Sequence, residues 1–103
     1  MSFSNVGAVK VRLYSATNPS WSIVVDARLD TGAARTSIDI VLADFLRLPT
    51  VGSVKTRSAN GRGKREIADL RFVYERIEYI TDVSLRDREG MNYPMILGRD
   101  VLE

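Results

Sequence analysis

The sequence predicts an all-β fold, a small closed barrel or compact sandwich with one short helix. Three observations support this prediction: apolar and polar residues alternate in six or seven short segments, turn signals separate these segments, and helical spacing appears only once. With 103 residues, of which 45% are hydrophobic, the chain can bury a core of its own. We therefore expect a single domain over residues 1–103.

The first two predicted strands form a hairpin. Over residues 6–14, apolar residues alternate with charged or polar ones, which is the period of a half-buried strand. The alternation resumes over residues 21–29 after a turn cluster. Its inward-facing positions are Ile23, Val25, Ala27 and Leu29. The second strand therefore delivers Asp30 at its end.

One helix is predicted over residues 38–47. Its apolar residues recur at three- or four-residue spacing, namely Ile38, Val41, Leu42, Phe45 and Leu46. Thr36 and Asp39 fit a Thr-x-x-Asp start signal, in which the hydroxyl caps the helix and the acid suits its positive end. Pro49 is expected to end the helix, because proline cannot continue the hydrogen-bond pattern.

The second half of the chain is predicted to be mainly strands. A strand over residues 51–58 is followed by Asn60-Gly61, a dipeptide typical of tight hairpin turns, and by a returning strand over 66–74. The last predicted elements are two short strands at 77–80 and 83–85 and a single helical turn at 98–103.

The composition excludes several kinds of chemistry. The chain has no Cys and no His, so it cannot build a thiol nucleophile, a Ser-His-Asp triad or a Cys/His zinc site. We expect neither a metal nor another cofactor. A formal net charge of +2 gives no strong reason to expect nucleic-acid binding, and no apolar run is long enough for a membrane span. Because signal-peptide features and Cys are absent, we expect a cytoplasmic protein.

Two short motifs carry the candidate chemistry. Asp30-Thr31-Gly32 follows the second strand, and the segment 96–100 (Ile-Leu-Gly-Arg-Asp) lies near the C-terminus. Taken alone, Asp-Thr-Gly is also a common turn, because Asp accepts hydrogen bonds from its own backbone and Gly adopts positive φ. The residues by themselves leave both interpretations open.

The two motifs together resemble those of the retropepsin-like aspartic proteases. Segment 29–33 (Leu-Asp-Thr-Gly-Ala) is similar to the active-site motif, and segment 96–100 is similar to the second signature, which supports the catalytic loop. Their order and separation match, and the Asn60-Gly61 hairpin lies where the family has its flap. The resemblance covers nearly the whole chain. It implies a small closed retropepsin-like (acid protease) barrel with one short helix and a flap hairpin.

The resemblance implies an aspartic endopeptidase with Asp30, Thr31 and Gly32 as its catalytic motif. Two carboxylates a few ångströms apart share one proton. The charged carboxylate takes a proton from water, and the protonated one donates to the peptide carbonyl oxygen. Since the sequence has one such motif, the pair requires a homodimer with Asp30 from each copy. Thr31 would hydrogen-bond across the twofold axis, and Gly98 would permit close packing behind the loop.

The resemblance also implies substrate contacts in the loop and in the flap, at Ala33, Ala34, Asn60, Gly61, Arg62 and Gly63. The flap region is basic, with Arg57, Arg62, Lys64 and Arg65. These charges either keep an exposed hairpin soluble or recruit acidic peptides. Phosphate contacts with nucleic acid are disfavoured, because charge elsewhere is mixed and no aromatic residues interleave with the basic ones. The expected partners are a second copy of the chain and a peptide, and neither nucleic acid nor membrane.

The sequence departs from the viral pattern at Ala34, where viral members have an Asp that pairs with the Arg of the second signature. Arg99 therefore needs another partner, for which Asp100, Asp39 and Asp87 are the candidates. Ala34 also removes a contact to the substrate backbone, and the terminal strands of viral dimers have no counterpart after Arg99. A catalytically inactive dimerisation or peptide-binding module with the same fold is therefore the alternative.

Three segments are similar to a prokaryotic group of such domains named ATP-dependent zinc proteases, which is associated with glutamate-ligating enzymes. These segments are 30–37, 57–61 and 85–99. The residues support neither half of that name. There is no His or Cys for zinc, and Gly63-Lys64 lacks the surrounding residues of a phosphate-binding loop.

Overall fold

The chain folds around one sheet that closes on itself. The computed structural model describes residues 8–58, 61–87 and 92–103. Within these ranges the strands are β1 (Ala8–Tyr14), β2 (Ser22–Leu29), β3 (Ser37–Asp39), β4 (Thr50–Ser58), β5 (Gly61–Tyr74), β6 (Ile77–Arg86) and β7 (Met95–Leu97), and the helices are α1 (Ile40–Phe45) and α2 (Arg99–Leu102).

The strand order is β1-β2-β7-β3-β6-β5-β4, and an additional pairing of β1 with β5 closes six of the strands into a barrel. Strand β4 pairs with β5 alone and lies outside that closed set. The mostly β architecture with a closed barrel confirms the predicted fold class.

The β1–β2 hairpin forms as predicted. Its strands pair antiparallel from Ala8↔Arg28 to Tyr14↔Ser22. Of the positions predicted to face inward in β2, Ala27 is fully buried and Ile23, Val25 and Leu29 are partly buried against the core. The apolar Val11 and Leu13 of β1 are almost fully buried. The alternation places the apolar side chains of each strand on one face, and burying that face removes them from water. This burial provides most of the driving force for folding of the hairpin. The hairpin thus fixes the position at which β2 ends.

The predicted helix over 38–47 is too long at its start. Residues 37–39 form β3, which pairs antiparallel with β7 and parallel with β6, and Ile38 is fully buried between them. The helix α1 begins only at Ile40. Thr36 does not cap it; the N-cap is Asp39, which makes no side-chain cap hydrogen bond. Pairing with two neighbouring strands satisfies the backbone of 37–39, and this tertiary contact outweighs a weak helical pattern.

The face that α1 buries also differs from the predicted one. Ala43 and the following Leu46 are buried, whereas Val41 is 70% exposed and Phe45 is 46% exposed. The Phe45 ring packs edge-on against Trp21 with their centroids 4.7 Å apart. The six-residue helix therefore covers the barrel with a narrow strip of small and aliphatic side chains.

Strands β5 and β6 are longer than predicted. Strand β5 begins at Gly61 rather than at residue 66, and β6 is one continuous strand rather than two short ones. The two pair without interruption from Ile67↔Ser84 to Tyr74↔Ile77. Leu70 and Phe72 project from β5 into the core, as the alternation predicted.

The flap hairpin is present in the backbone. Strands β4 and β5 pair antiparallel from Thr50↔Ala68 to Ser58↔Gly61, so the predicted hairpin is present, although Gly61 of the predicted turn lies in β5. Asn60 itself lies outside the described residues. At the other end of the chain, α2 is the predicted helical turn. No helix in the described part of the chain is long and apolar enough to cross a membrane.

Candidate active site

Asp30 sits in a hydrogen-bonded turn directly after β2. Its backbone amide donates to the Leu97 carbonyl at 3.0 Å, which continues the parallel pairing of β2 with β7. Its side-chain Oδ1 accepts a hydrogen bond from the Gly32 amide at 2.9 Å, and the Ala33 amide donates to the Asp30 carbonyl at 3.1 Å. The motif is therefore a true Asx-type turn, and the turn orients a half-buried carboxylate.

The loop presents its first residues to the surface of the single chain. Thr31, Gly32 and Ala34 are exposed, and Ala33 is half-buried. A Cβ atom on Gly32 would lie 3.1 Å from Asp30 Oδ1, tighter than an ordinary contact. A larger residue at this position would therefore push against the carboxylate, which explains why the motif ends in glycine.

Gly98 packs against the back of the same loop. A Cβ atom at Gly98 would lie 2.7 Å from the Arg35 carbonyl carbon, 2.8 Å from the Ala33 oxygen and 2.9 Å from the Arg35 oxygen. All three are backbone atoms, so no rotamer change could make room. The next amide, that of Arg99, donates to the Ala33 carbonyl at 2.8 Å. The close packing implied by the resemblance is therefore present.

A second link between the two motifs involves Thr36 and Asp100. The Thr36 amide lies 3.0 Å from both Asp100 carboxylate oxygens, and the Thr36 hydroxyl donates to Asp100 Oδ1 at 2.7 Å. The same hydroxyl accepts a hydrogen bond from the Gly98 amide at 3.1 Å. Thr36 is fully buried, so these partners replace water completely. The sequence analysis missed this role of Thr36 and gave it to a helix cap.

The two arginines of the site have partners that the sequence analysis did not name. Arg99 donates to the backbone carbonyl of Thr31 at 2.9 Å, while Asp100, one of its candidate partners, binds Thr36 instead. Arg35 forms an ion pair with Asp82 at 2.6 Å, with both side chains partly exposed. Arg99 thus holds the exposed end of the Asp30 loop, although Ala34 offers it no carboxylate.

The remaining candidate substrate contacts are in the hairpin. The structure describes the backbone of residues 61–63, which pairs with residues 56–58 of β4. Their contacts with a substrate are not tested, and Asn60 lies outside the described residues. Within the described ranges, no group of three or more His, Cys, Asp or Glu side chains could hold a metal ion.

Comparison with known proteins gives matches in structure. No protein-family model matches the sequence, and no curated protein matches it. The EIAV protease in complex with the inhibitor HBY-793 matches with a TM-score of 0.70 and 16% identity, over 99% of this chain and 89% of that chain. The simian foamy virus (mac) protease matches with a TM-score of 0.65 and 12% identity, over 90% and 88% of the two chains.

A bacterial protein has a similar structure. Lpg0085 from Legionella pneumophila, a protein of unknown function (DUF785), matches with a TM-score of 0.58 and 18% identity, over 93% of this chain and 83% of that chain. The comparisons do not support the resemblance to the zinc-protease group. They show that this chain has the retropepsin-like fold of the retroviral proteases.

Proposed function

We propose that this chain is one protomer of a homodimeric aspartic peptidase in which Asp30 from each copy supplies half of the catalytic pair. The observation that carries the proposal is the loop itself: Asp30 is oriented by the Gly32 amide, and the loop is held from behind by Gly98 and Arg99. A turn needed only for chain reversal would not require so many long-range ties. The retropepsin-like fold agrees with this interpretation.

The proposed chemistry needs two carboxylates and one water. Two carboxylates that face each other at close range share one proton, so the proposed pair has one ionised and one protonated Asp30. The ionised carboxylate removes a proton from water as the water attacks the peptide carbonyl carbon. The other carboxylate donates its proton to the carbonyl oxygen. The resulting tetrahedral intermediate collapses with cleavage of the C–N bond and protonation of the leaving amine.

The exposure of Thr31 and Gly32 supports the dimer. In a single chain these residues lie on the surface next to Asp30, where a second copy related by a twofold axis would present the same loop. Thr31 would then donate its hydroxyl to the partner's loop, as the resemblance implies. The Arg99 contact to the Thr31 carbonyl fixes the backbone from which that hydroxyl projects.

We propose peptides with acidic residues as the substrates. In the β4–β5 hairpin, the register places the exposed Lys55 directly opposite the exposed Lys64. Like charges on facing positions of two strands destabilise the pairing, and an anionic ligand would relieve that cost. Cleavage of acidic peptides should therefore fall as salt concentration rises, because exposed charges are screened.

The test is a mixing experiment with Asp30→Asn. The control is Asp26→Asn, which removes the same charge four residues earlier on the exposed face of β2, where Asp26 pairs with Lys10 at 2.6 Å. Asp30→Asn should abolish cleavage of a peptide library between acidic and neutral pH, and Asp26→Asn should retain it. When equal amounts of parent and Asp30→Asn protomers pair at random, about a quarter of the dimers carry both carboxylates. The mixture should therefore cleave at about a quarter of the rate of the parent at the same total protomer concentration.

The mixing result separates the alternatives. About half of the parent rate would mean that each chain acts alone and would refute the shared site. Equal cleavage by Asp30→Asn and the parent would remove Asp30 from the mechanism. A protein that binds peptides and never cleaves them would favour the inactive binding module.

A further inference from the structure

The base of the flap hairpin contains a fork between two strands. The pairing of β5 with β6 ends at Ile67↔Ser84. Beyond this point β6 continues alongside β3, with Leu85 opposite Ile38 and Arg86 opposite Asp39, while β5 continues into the hairpin with β4. The two strands that are neighbours in the barrel therefore separate at this end.

A cavity of about 350 Å³ lies where the strands separate. Its lining includes three cationic residues, Lys64, Arg65 and Arg86, and the apolar residues Ile40 and Leu85. Two acidic residues, Glu66 and Asp87, complete the lining. We call this cavity the fork pocket.

The positive charge in the fork pocket is concentrated on two guanidinium groups. Partial burial, and then the positive charge of Arg86, lower the pKa of Arg65. An oxyanion bound between two partly buried guanidinium groups would offset their mutual repulsion. Each guanidinium group could also donate paired N–H hydrogen bonds to the oxygens of the anion.

We propose that the fork pocket binds a small oxyanion, a carboxylate or phosphate group, between Arg65 and Arg86. Lys64 is a third cationic residue of the lining, and the apolar residues Ile40 and Leu85 would favour a short hydrocarbon stem on the bound group. The bound group would connect the hairpin strand β5 to β6 where they no longer pair directly. This site is separate from the Asp30 loop and does not depend on peptidase activity.

Two probes identify the source of the oxyanion. Inorganic phosphate represents a free anion, and N-acetylglutamate amide represents an acidic side chain of a peptide, with N-acetylglutamine amide as its uncharged counterpart. Each is titrated into the whole chain carrying Asp30→Asn while backbone amide shifts are followed by NMR. We expect saturable shifts at residues 64–66 and 85–87 with at least one of the two anions and none with the glutamine compound.

Charge variants complete the test. Arg65→Gln combined with Arg86→Gln should weaken binding by about tenfold or more, because charge-assisted hydrogen bonds are lost. Arg76→Gln removes the same kind of charge from the opposite end of the β5–β6 ribbon, where it is exposed, and should leave the affinity unchanged. Tighter binding of phosphate assigns the pocket to free anions, and tighter binding of the glutamate compound assigns it to an acidic side chain.

Three results would overturn the proposal. They are shifts that do not saturate at millimolar anion, shifts spread over all exposed cationic residues, and equal binding by the parent and the double variant. The first two are measured on the unaltered pocket, so they decide the question even if the double variant fails to fold. Loss of cleavage in every assay, with anion binding intact, would reject the peptidase proposal and leave the fork pocket in place.

Discussion

Replacement of Gly98 by alanine tests the link between the two motifs directly. The added Cβ would lie 2.7–2.9 Å from three backbone atoms of Ala33 and Arg35. These distances are about 0.6–0.8 Å shorter than the ~3.5 Å at which heavy atoms pack best. Relief requires the loop or the C-terminal turn to move as a unit, since no side chain can rotate away.

The expected cost of Gly98→Ala is about 3 kcal/mol, at the upper end for overpacking, because the movement also strains the 2.8 Å hydrogen bond from Arg99 to Ala33. For a domain of this size, that loss lowers the melting temperature by about 12–24 °C. We expect cleavage to fall further than stability alone predicts, because the displaced loop carries Asp30. Thermal unfolding at fixed protomer concentration measures the first effect.

Gly52→Ala provides the matched control. A Cβ at Gly52 would meet only Ile67 side-chain atoms, at 3.6 and 3.7 Å, which are ordinary contact distances. Alanine in this strand should raise stability by about 0.5 kcal/mol, because it restricts the unfolded chain more than glycine does. If Gly98→Ala melted within about 3 °C of the parent, the tight packing behind the loop would be refuted.

Three other predictions concern single contacts. Asp100→Ala should lower the free energy of unfolding by about 2–4 kcal/mol, because the buried Thr36 amide and hydroxyl both lose an acceptor. Arg76→Gly should raise it by about 0.5 kcal/mol, because Arg76 has a φ of 67° that glycine adopts without strain. A hydrogen bond to Glu75, with burial and nearby charge, raises the pKa of Tyr74 to about 12. The folded state therefore holds this proton longer than the unfolded chain, and the free energy of unfolding should fall as pH rises from 10 to 12.

Urea unfolding measures the first two effects, and ultraviolet titration of tyrosinate together with unfolding at alkaline pH measures the third. Asp100→Asn, which keeps one acceptor oxygen, should be the milder change at that position. Equal stability of Asp100→Ala and the parent would contradict the assigned contact. Any destabilisation by Arg76→Gly would contradict the strain argument. For Tyr74, the result against the prediction is a Tyr74→Phe variant with the same stability profile between pH 10 and 12 as the parent.

The strands that the sequence predicted are those with one face in the core. In β1, β2 and the second half of β5, more buried side chains alternate with more exposed ones. The sequence therefore shows apolar residues at every second position, which is the pattern that predicts a strand. Strand β3 has only three residues and cannot show a period. It exists because β7 and β6, far away in the sequence, lie on either side of it.

The break between β5 and β6 was predicted at its observed place, with one strand ending at residue 74 and the next beginning at 77, although the two residues between them carry no turn signal. Glu75 and Arg76 both adopt positive φ, a geometry that usually selects Asn or Gly. The register of the long ladder on either side holds the turn in place. The predicted break in β6 fell at Thr81 and Asp82, two half-buried polar residues that interrupt the apolar pattern without interrupting the strand.

The candidate site divides in a similar way. Asp30 and Gly98 were found because a short motif and a resemblance point to them. The contact of Thr36 with Asp100 was not found, because its partners are 64 residues apart and each fits a local role at a helix terminus. From the local sequence, Thr and Asp next to a helix are first interpreted as helix caps. Their contact with each other becomes visible only in the folded structure.

The hydrogen bonds between the Asp30 loop and segment 97–100 also determine when the loop can fold during synthesis of the chain. Asp30, Ala33 and Thr36 are made early, but the groups that hold them come more than sixty residues later. While the ribosome is still adding those residues, the loop has nothing to close against, and contacts of such long sequence separation form slowly. The loop that carries Asp30 therefore gains its long-range contacts only after segment 97–100 has been made, and before that point it has only its local hydrogen bond from Gly32 to Asp30.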